Sequence, residues 1–280
     1  MNAEIEDQVG EADRACPVCG ETATTASGFS AGEWRVGDCT GCGMTYLVNP
    51  PGQESLMDEH AWEETRGKER QKRREKRKVY YFFSDGLKKI RAAIRQGKRK
   101  ELSFLEALGP SGGRILDIGC AEGGTLIPID KGKWQPFGIE PSPGLAKQAD
   151  AFCAEHGGRV VQETAVGGLP EFEENYFDAV MMRSFLEHEA HVGEVLSGVH
   201  RVLKPGGFTI IKVPNAACWN AKLRGGGWPG VRHPDHVNYF TPGQLRRVVA
   251  DAGFAEVKFP WSWRSPTSDN MWMAAYKKSD

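Results

Sequence analysis

The sequence predicts an α/β protein, with a mostly parallel sheet closed by an antiparallel last strand. A small cysteine module and a helical linker precede it. Three observations carry that expectation. After residue 110, apolar strand runs alternate with amphipathic helical stretches. At the C-terminus, AEVKFPWSWR and TSDNMWMAAYKK follow one another with no helix between them, which suits an antiparallel pair. Between residues 15 and 50, two cysteine pairs share one internal spacing.

Residues 1–14 (MNAEIEDQVGEADR) are acidic and polar, and are expected to be disordered rather than a signal or transit peptide. Residues 15–50 carry CPVCG and CTGCG, joined by strand-like pieces such as GEWRVGDC and MTYLVN. Cys16, Cys19, Cys39 and Cys42 give C-x2-C, 19 residues, C-x2-C. Four thiolates match tetrahedral zinc, and each two-residue gap lets a pair chelate from one tight turn. Gly20 and Gly43 follow the pairs, where a chain turning around sulfur benefits from a residue without Cβ. A closed four-sulfur site leaves no open position, so this Zn²⁺ is expected to be structural, in a zinc ribbon. Asn49-Pro50-Pro51-Gly52 then punctuates the chain.

Residues 51–109 read as a basic helical linker. Val79, Tyr80, Phe83, Leu87, Ile90 and Ile94 recur at three- and four-residue steps, the stripe of a core-facing helix. From Arg66 to Lys100 there are 16 Lys or Arg against three acids, a net of +13. The total charge is −1, so the rest of the chain carries −14. Such segregation suits RNA or an acidic partner along 66–100, or simply a solvated helix face. Nowhere does the chain reach 18 uncharged apolar residues, so no membrane span is expected. A cytoplasmic setting is expected too, where thiols stay reduced and cysteines hold metal rather than each other.

Residues 110–280 are read as one domain. RILDIG, PFGIE, RVVQE, FDAVMM and GFTIIKV are its expected strands, with helices near 142–156, 189–203 and 241–252. In RILDIGCAEGGTL, a strand ends at Asp117; Gly119, Ala121, Gly123 and Gly124 are then expected to turn tightly into a helix. Small residues there let a ligand approach the backbone. A second strand ends in Glu140, 23 residues beyond Asp117, placed to accept hydrogen bonds from ribose hydroxyls.

The spacing of G-C-A-E-G resembles the first motif of class I S-adenosylmethionine (SAM)-dependent methyltransferases. FDAVMMRSFLEH resembles their fourth-strand motif with its terminal Leu-Glu-His. HRVLKPGGFTIIKVPN resembles the helix–Leu-Lys-Pro-Gly-Gly–strand motif that follows. The whole chain looks like a bacterial subset that places a four-cysteine module first. The resemblance implies a Rossmann-like fold and SAM as cofactor. It would put Gly119, Cys120, Ala121 and Gly123 along the methionine and ribose portions, with Asp117 near the amino end. Glu140 would hold the ribose, Pro141, Ala165 and Val166 would border the adenine, and Arg183 and Ser184 would lie below the sulfonium.

The acceptor is expected to be a small molecule or a sugar or glycan, methylated at a hydroxyl. RNA is the rival, favoured by the basic stretch but lacking an N/D-P-P-Y/F motif; a non-catalytic binding protein on the same fold is a third reading. The insert PNAACWNAKLRGGGWPGVRHPDHVNYFT reads as a lid over the methyl group. Its His233 and His236, with Asp235, show no further ligands nearby in sequence, so a metal is the least favoured reading there; proton handling comes first and a structural loop role, imidazole bonded to backbone, second. His236 is the first candidate base because it matches the family's histidine, with His188 and His233 behind it.

Overall fold

The computed structural model describes residues 13–50, 100–108, 112–129, 132–258 and 266–279. Met1–Pro50 and Gly109–Asp280 belong to one compact unit, and Pro51–Leu108 to a second. The basic stretch 66–100 and the Val79–Ile94 stripe lie outside the described residues, Lys100 aside.

The cysteine module supplies three short strands: β1 (Thr24–Ala26), β2 (Val36–Cys39) and β3 (Thr45–Leu47). Of the second unit, helix α1 (Lys100–Leu108) is described, with Phe104 and Leu105 buried. The chain continues through β4 (Gly113–Ile118), β5 (Trp134–Ile139), α2 (Pro143–Glu155), β6 (Val160–Val161) and the short α3 (Ala165–Gly168). Then come β7 (Phe177–Arg183), α4 (Val192–Val202), β8 (Leu203–Pro214) and α5 (Trp219–Arg224). The last elements are β9 (Asn238–Tyr239), α6 (Pro242–Asp251), β10 (Glu256–Lys258) and β11 (Asn270–Tyr276).

The main sheet has seven strands in the order β10-β11-β8-β7-β4-β5-β6. Strands β6, β5, β4, β7 and β8 run parallel, while β11 pairs antiparallel with β8 and β10 antiparallel with β11. The apolar runs follow from burial on both faces: Ile115, Leu116, Ile118, Ala179, Val180 and Met182 are all inaccessible to solvent. Helix starts are equally local. Ser142 accepts from the Leu145 amide and Pro143 fills the first turn of α2. Thr241 and Gln244 form a reciprocal capping box on α6.

The helix expected after the glycine turn is missing. After the glycine turn, residues 121–128 make successive turns instead of a helix. The Ile127 amide donates to Gly123 O at 2.9 Å, a helical bond that the residues after it do not continue. Two adjacent glycines and Pro128, which has no N–H to donate, leave too few residues to propagate it.

The second sheet joins distant parts of the chain. Its order is β1-β2-β3-β9, so a two-residue strand of the insert completes the sheet of the cysteine module. Tyr46 pairs with Asn238 and Thr45 with Tyr239. A small core seals the junction: Val36 and Leu47 from the module pack with Cys218, Ala221, Trp228, Val237 and Tyr239. Arg14 falls in the stretch expected to be disordered, yet it is firmly held. Its guanidinium donates to Ala190 O at 2.8 Å, Val237 O at 3.4 Å and Asn238 Oδ1 at 3.3 Å.

Candidate functional site

In a doubly wound sheet, ligands bind beyond the carboxyl ends of the strands, where the chain reverses its direction of winding. Here the chain runs outward from β4 through β5 to β6, then returns to the other side of β4 with β7. Asp117, Glu140 and Arg183 all sit at that carboxyl edge. The glycine turn begins there. Gly119 (φ 70°), Ala121 (φ 48°) and Gly123 (φ 80°) have left-handed backbone, which costs an alanine energy and a glycine little. The Gly119 and Cys120 amides both donate to Ile139 O, at 2.9 and 3.2 Å, tying the turn to the end of β5.

Glu140 closes the arrangement. Its side chain is buried (8% exposed) and its carboxylate accepts from the Ala121 amide at 2.8 Å and from the Ser142 amide at 3.1 Å. The residue expected to hold a ribose is thereby locked to the glycine turn. Each carboxylate oxygen has two lone pairs, so capacity remains for hydroxyl donors. Pro141 is exposed beside it, and Ala165 is buried in the first turn of α3 with Val166 half-buried. The Cys120 sulfur is turned toward β5: its Sγ lies 2.6 Å from where a Cβ on Gly138 would sit. Burial pushes that thiol far above the ordinary thiol range.

Beyond β7 the chain makes a second strained turn at Ser184 (φ 55°), whose amide donates to Lys212 O at 2.8 Å. Lys212 Nζ donates to Ser184 Oγ at 2.5 Å. The ring of the next residue, Phe185, would lie 3.1 Å from a Cβ on Gly119, so this loop abuts the glycine turn. Asn238 then staples it to the insert, donating from Nδ2 to Leu186 O at 2.8 Å and to Glu189 O at 2.6 Å. The Val237 and Asn238 amides both donate to Glu187 O, at 2.8 and 3.1 Å.

Those bonds bring Glu187, His188 and His236 together, with one ligand-capable atom of each inside a 4.8 Å group. The two imidazoles are nearly perpendicular, with centroids 4.7 Å apart. His188 Nδ1 lies 2.7 Å from Asp235 O and His236 Nδ1 lies 2.8 Å from Gly230 O. A carbonyl oxygen only accepts, so each Nδ1 carries a proton, and a neutral ring held this way has its lone pair on Nε2. Burial, with His188 and Arg232 close by, holds His236 well below the usual histidine range. Burial pushes Glu187 up to about 7, although Lys212 and Arg232 partly oppose this.

His233 stands apart from that group. Its Nε2 donates to Phe29 O at 3.0 Å, which leaves Nδ1 to accept from the Tyr239 hydroxyl at 3.2 Å. One nitrogen fastens the insert to the β1–β2 hairpin, and the other is spent on Tyr239 within the insert. His233 and His236, three apart in sequence, thus have different partners: His236 joins His188 and Glu187, and His233 is not in that group. Glu187 lies inside the Leu-Glu-His of the fourth-strand motif, which marks it in the sequence, whereas no local pattern marks Arg14.

The four cysteines also converge. Cys16 Sγ and Cys42 Sγ are 3.5 Å apart, Cys19 Sγ and Cys39 Sγ are 3.4 Å apart, and all four sulfurs lie within 4.8 Å. Tetrahedral zinc with bonds of about 2.3 Å needs sulfurs roughly 3.8 Å apart, so this set fits the ion. The two knuckles repeat each other: Gly20 N donates to Cys16 O at 3.0 Å and Gly43 N to Cys39 O at 2.9 Å. Gly20 (φ 74°) and Gly43 (φ 72°) are left-handed with open space around a would-be Cβ, so backbone conformation, not crowding, selects glycine.

A shallow cavity of about 450 Å³ lies at the opposite, amino-terminal edge of the strands, lined by Arg114, Asp178 and Lys204 among others. Asp178 and Lys204 already form an ion pair there at 2.7 Å. We place no function in it.

The chain is 30% identical over 150 residues to a ubiquinone biosynthesis O-methyltransferase of Azorhizobium caulinodans, covering 50% of this chain and 58% of that protein. It is 33% identical over 120 residues to an uncharacterised methyltransferase of Synechocystis, covering 40% of this chain and 52% of the other. The chain thus spans little more than half the length of these curated relatives. Its fold resembles that of a SAM-dependent methyltransferase from Archaeoglobus fulgidus, with a TM-score of 0.52 at 18% identity over 71% of this chain and 99% of that one. It also resembles phosphoethanolamine N-methyltransferase 2 of Haemonchus contortus, solved with S-adenosyl-L-methionine, with a TM-score of 0.51 at 19% identity over 64% of this chain and 52% of the other. Among described residues, no helix is long and apolar enough to cross a membrane. A family model described as a methyltransferase domain matches residues 88–258, and the chain belongs to that family.

Proposed function

We propose that the protein transfers the methyl group of SAM to a hydroxyl of a small-molecule or sugar acceptor. The observation that carries this is Glu140, a buried carboxylate fixed to the glycine turn at the carboxyl edge of the sheet. When bound, SAM supplies an electrophilic methyl group, so the protein's work is to position the acceptor and manage its proton. Glu140 would take the ribose hydroxyls, and the Gly119–Gly123 backbone would face the rest of the cofactor. The loop Ser184–His188 and the insert would hold the acceptor, with His188 and His236 on its side. Relatives named for O-methylation in ubiquinone biosynthesis support a small hydroxylic acceptor. We assign Cys16, Cys19, Cys39 and Cys42 to structural Zn²⁺.

Calorimetric titration with SAM tests the reading. The wild-type protein should bind, and Glu140→Ala should weaken binding about tenfold or more. A hydrogen bond to a charged group contributes roughly 1.5–3 kcal/mol, and about 1.4 kcal/mol is one decade. A wild-type protein that takes up no SAM would sink the proposal and favour a non-catalytic role.

A further inference from the structure

We infer that Glu187, His188 and His236 form a second metal site, for a divalent first-row transition cation, distinct from the four cysteines. Two imidazoles and one carboxylate are the ligand set that such cations accept while leaving positions open for exogenous oxygen.

The geometry gives four supports. The three ligand-capable atoms already lie within 4.8 Å of one another. Both Nδ1 atoms are held by backbone carbonyls at 2.7 and 2.8 Å, the outer-shell bond that fixes a ligating histidine's tautomer and ring orientation. Glu187 is 2% exposed, and its Oε2 has no hydrogen-bond partner among the described residues. A buried carboxylate oxygen without a partner is costly, and a cation would remove that cost. Finally, the ligands sit on a rigid frame, because Val237 and Asn238 bind the Glu187 carbonyl and Asn238 binds those of Leu186 and Glu189.

Two protein cations face the same group and offer the rival account, in which Lys212 and Arg232 alone balance Glu187. Neither donates to Glu187 Oε2: Lys212 Nζ donates to Ser184 Oγ, and Arg232 approaches Asp235 Oδ2 at 3.6 Å while its own buried Nε has no hydrogen-bond partner among the described residues. The site's use rests on the proposed methyl transfer, although the binding itself does not. A cation there would bind the acceptor hydroxyl and acidify it, releasing the proton to solvent; the oxygen would then bond to the methyl carbon as the carbon–sulfur bond of SAM breaks and S-adenosylhomocysteine leaves.

The test is a Co²⁺ titration of the zinc-loaded full chain, followed by visible absorption. We expect one equivalent bound with nitrogen and oxygen ligand-field bands and without the thiolate charge-transfer band of a cysteine site. Glu187→Gln and His236→Gln, which keep most of the volume, should weaken that binding more than about 100-fold, since disturbing even outer-shell partners costs 10–100-fold. Far-UV circular dichroism checks that each variant is folded. A wild-type protein that binds cobalt only at thiolates, or a folded Glu187→Gln that binds it like wild type, overturns the inference. Measuring SAM affinity on the same samples separates the two readings. Cobalt binding without SAM binding sinks only the proposed function, and SAM binding without cobalt binding sinks only the metal site.

Discussion

The two sheets of this protein are built by opposite means. The seven-stranded sheet comes from one stretch, 113–276, and most of its strands are apolar runs buried on both faces. The four-stranded sheet takes three short strands from 24–47 and a two-residue strand at 238–239. Its stability must come from cross-links, because strands of two to four residues bury little surface. Three candidates are the cysteine cluster, the Trp228 core and the Arg14 fan of hydrogen bonds. The difference suggests that the larger sheet should survive damage that loosens the smaller one.

The cysteine cluster should matter most. Structural zinc contributes on the order of 10 kcal/mol in small domains. Cys39→Ala should release the metal and speed amide exchange across 24–47 and 236–240, while 113–118 and 177–183 stay protected. Equal loss of protection in both sheets would show that they are one cooperative body. Trp228 comes next: it is 1% exposed, and its Nε1 donates to Asp269 Oδ1 at 3.0 Å. Trp228→Ala should cost about 3–5 kcal/mol, read as an early unfolding step in denaturant monitored by insert fluorescence or exchange. A single unshifted transition would contradict the idea of a separate small core. Arg14→Ala, which strips three acceptors, should cost about 1–3 kcal/mol and act on the same small sheet. Loss of protection confined to residues 13–20 would mean that Arg14 holds only its own segment.

The same contrast explains what the sequence made legible. RILDI and FDAVMMR announce buried parallel strands, and Ser142-Pro143 and Thr241-Pro242 announce helix starts, because each signal is local. The cysteine spacing is local too, and the four sulfurs do converge. Strand β9 has no periodicity to read, and its pairing with β3 depends on residues 192 positions away. His188 and Glu187 meet His236 through the bonds of Val237 and Asn238 to the Leu186–Glu189 loop, about 50 residues away in sequence, so Asp235 beside His236 is a misleading partner. Its carbonyl orients His188 and its carboxylate faces Arg232. The missing helix after the glycine turn is a different error: the turn residues were read correctly, and Pro128 was not weighed against them.

The β3–β9 pairing also bears on how the protein is made. During synthesis the cysteine module leaves the ribosome about 190 residues ahead of the strand that completes it. Throughout that interval the outer edge of β3 has no partner from its own chain, and a bare strand edge is a template for wrong pairings. Timely metal capture by the nascent module would then shape yield as well as final stability.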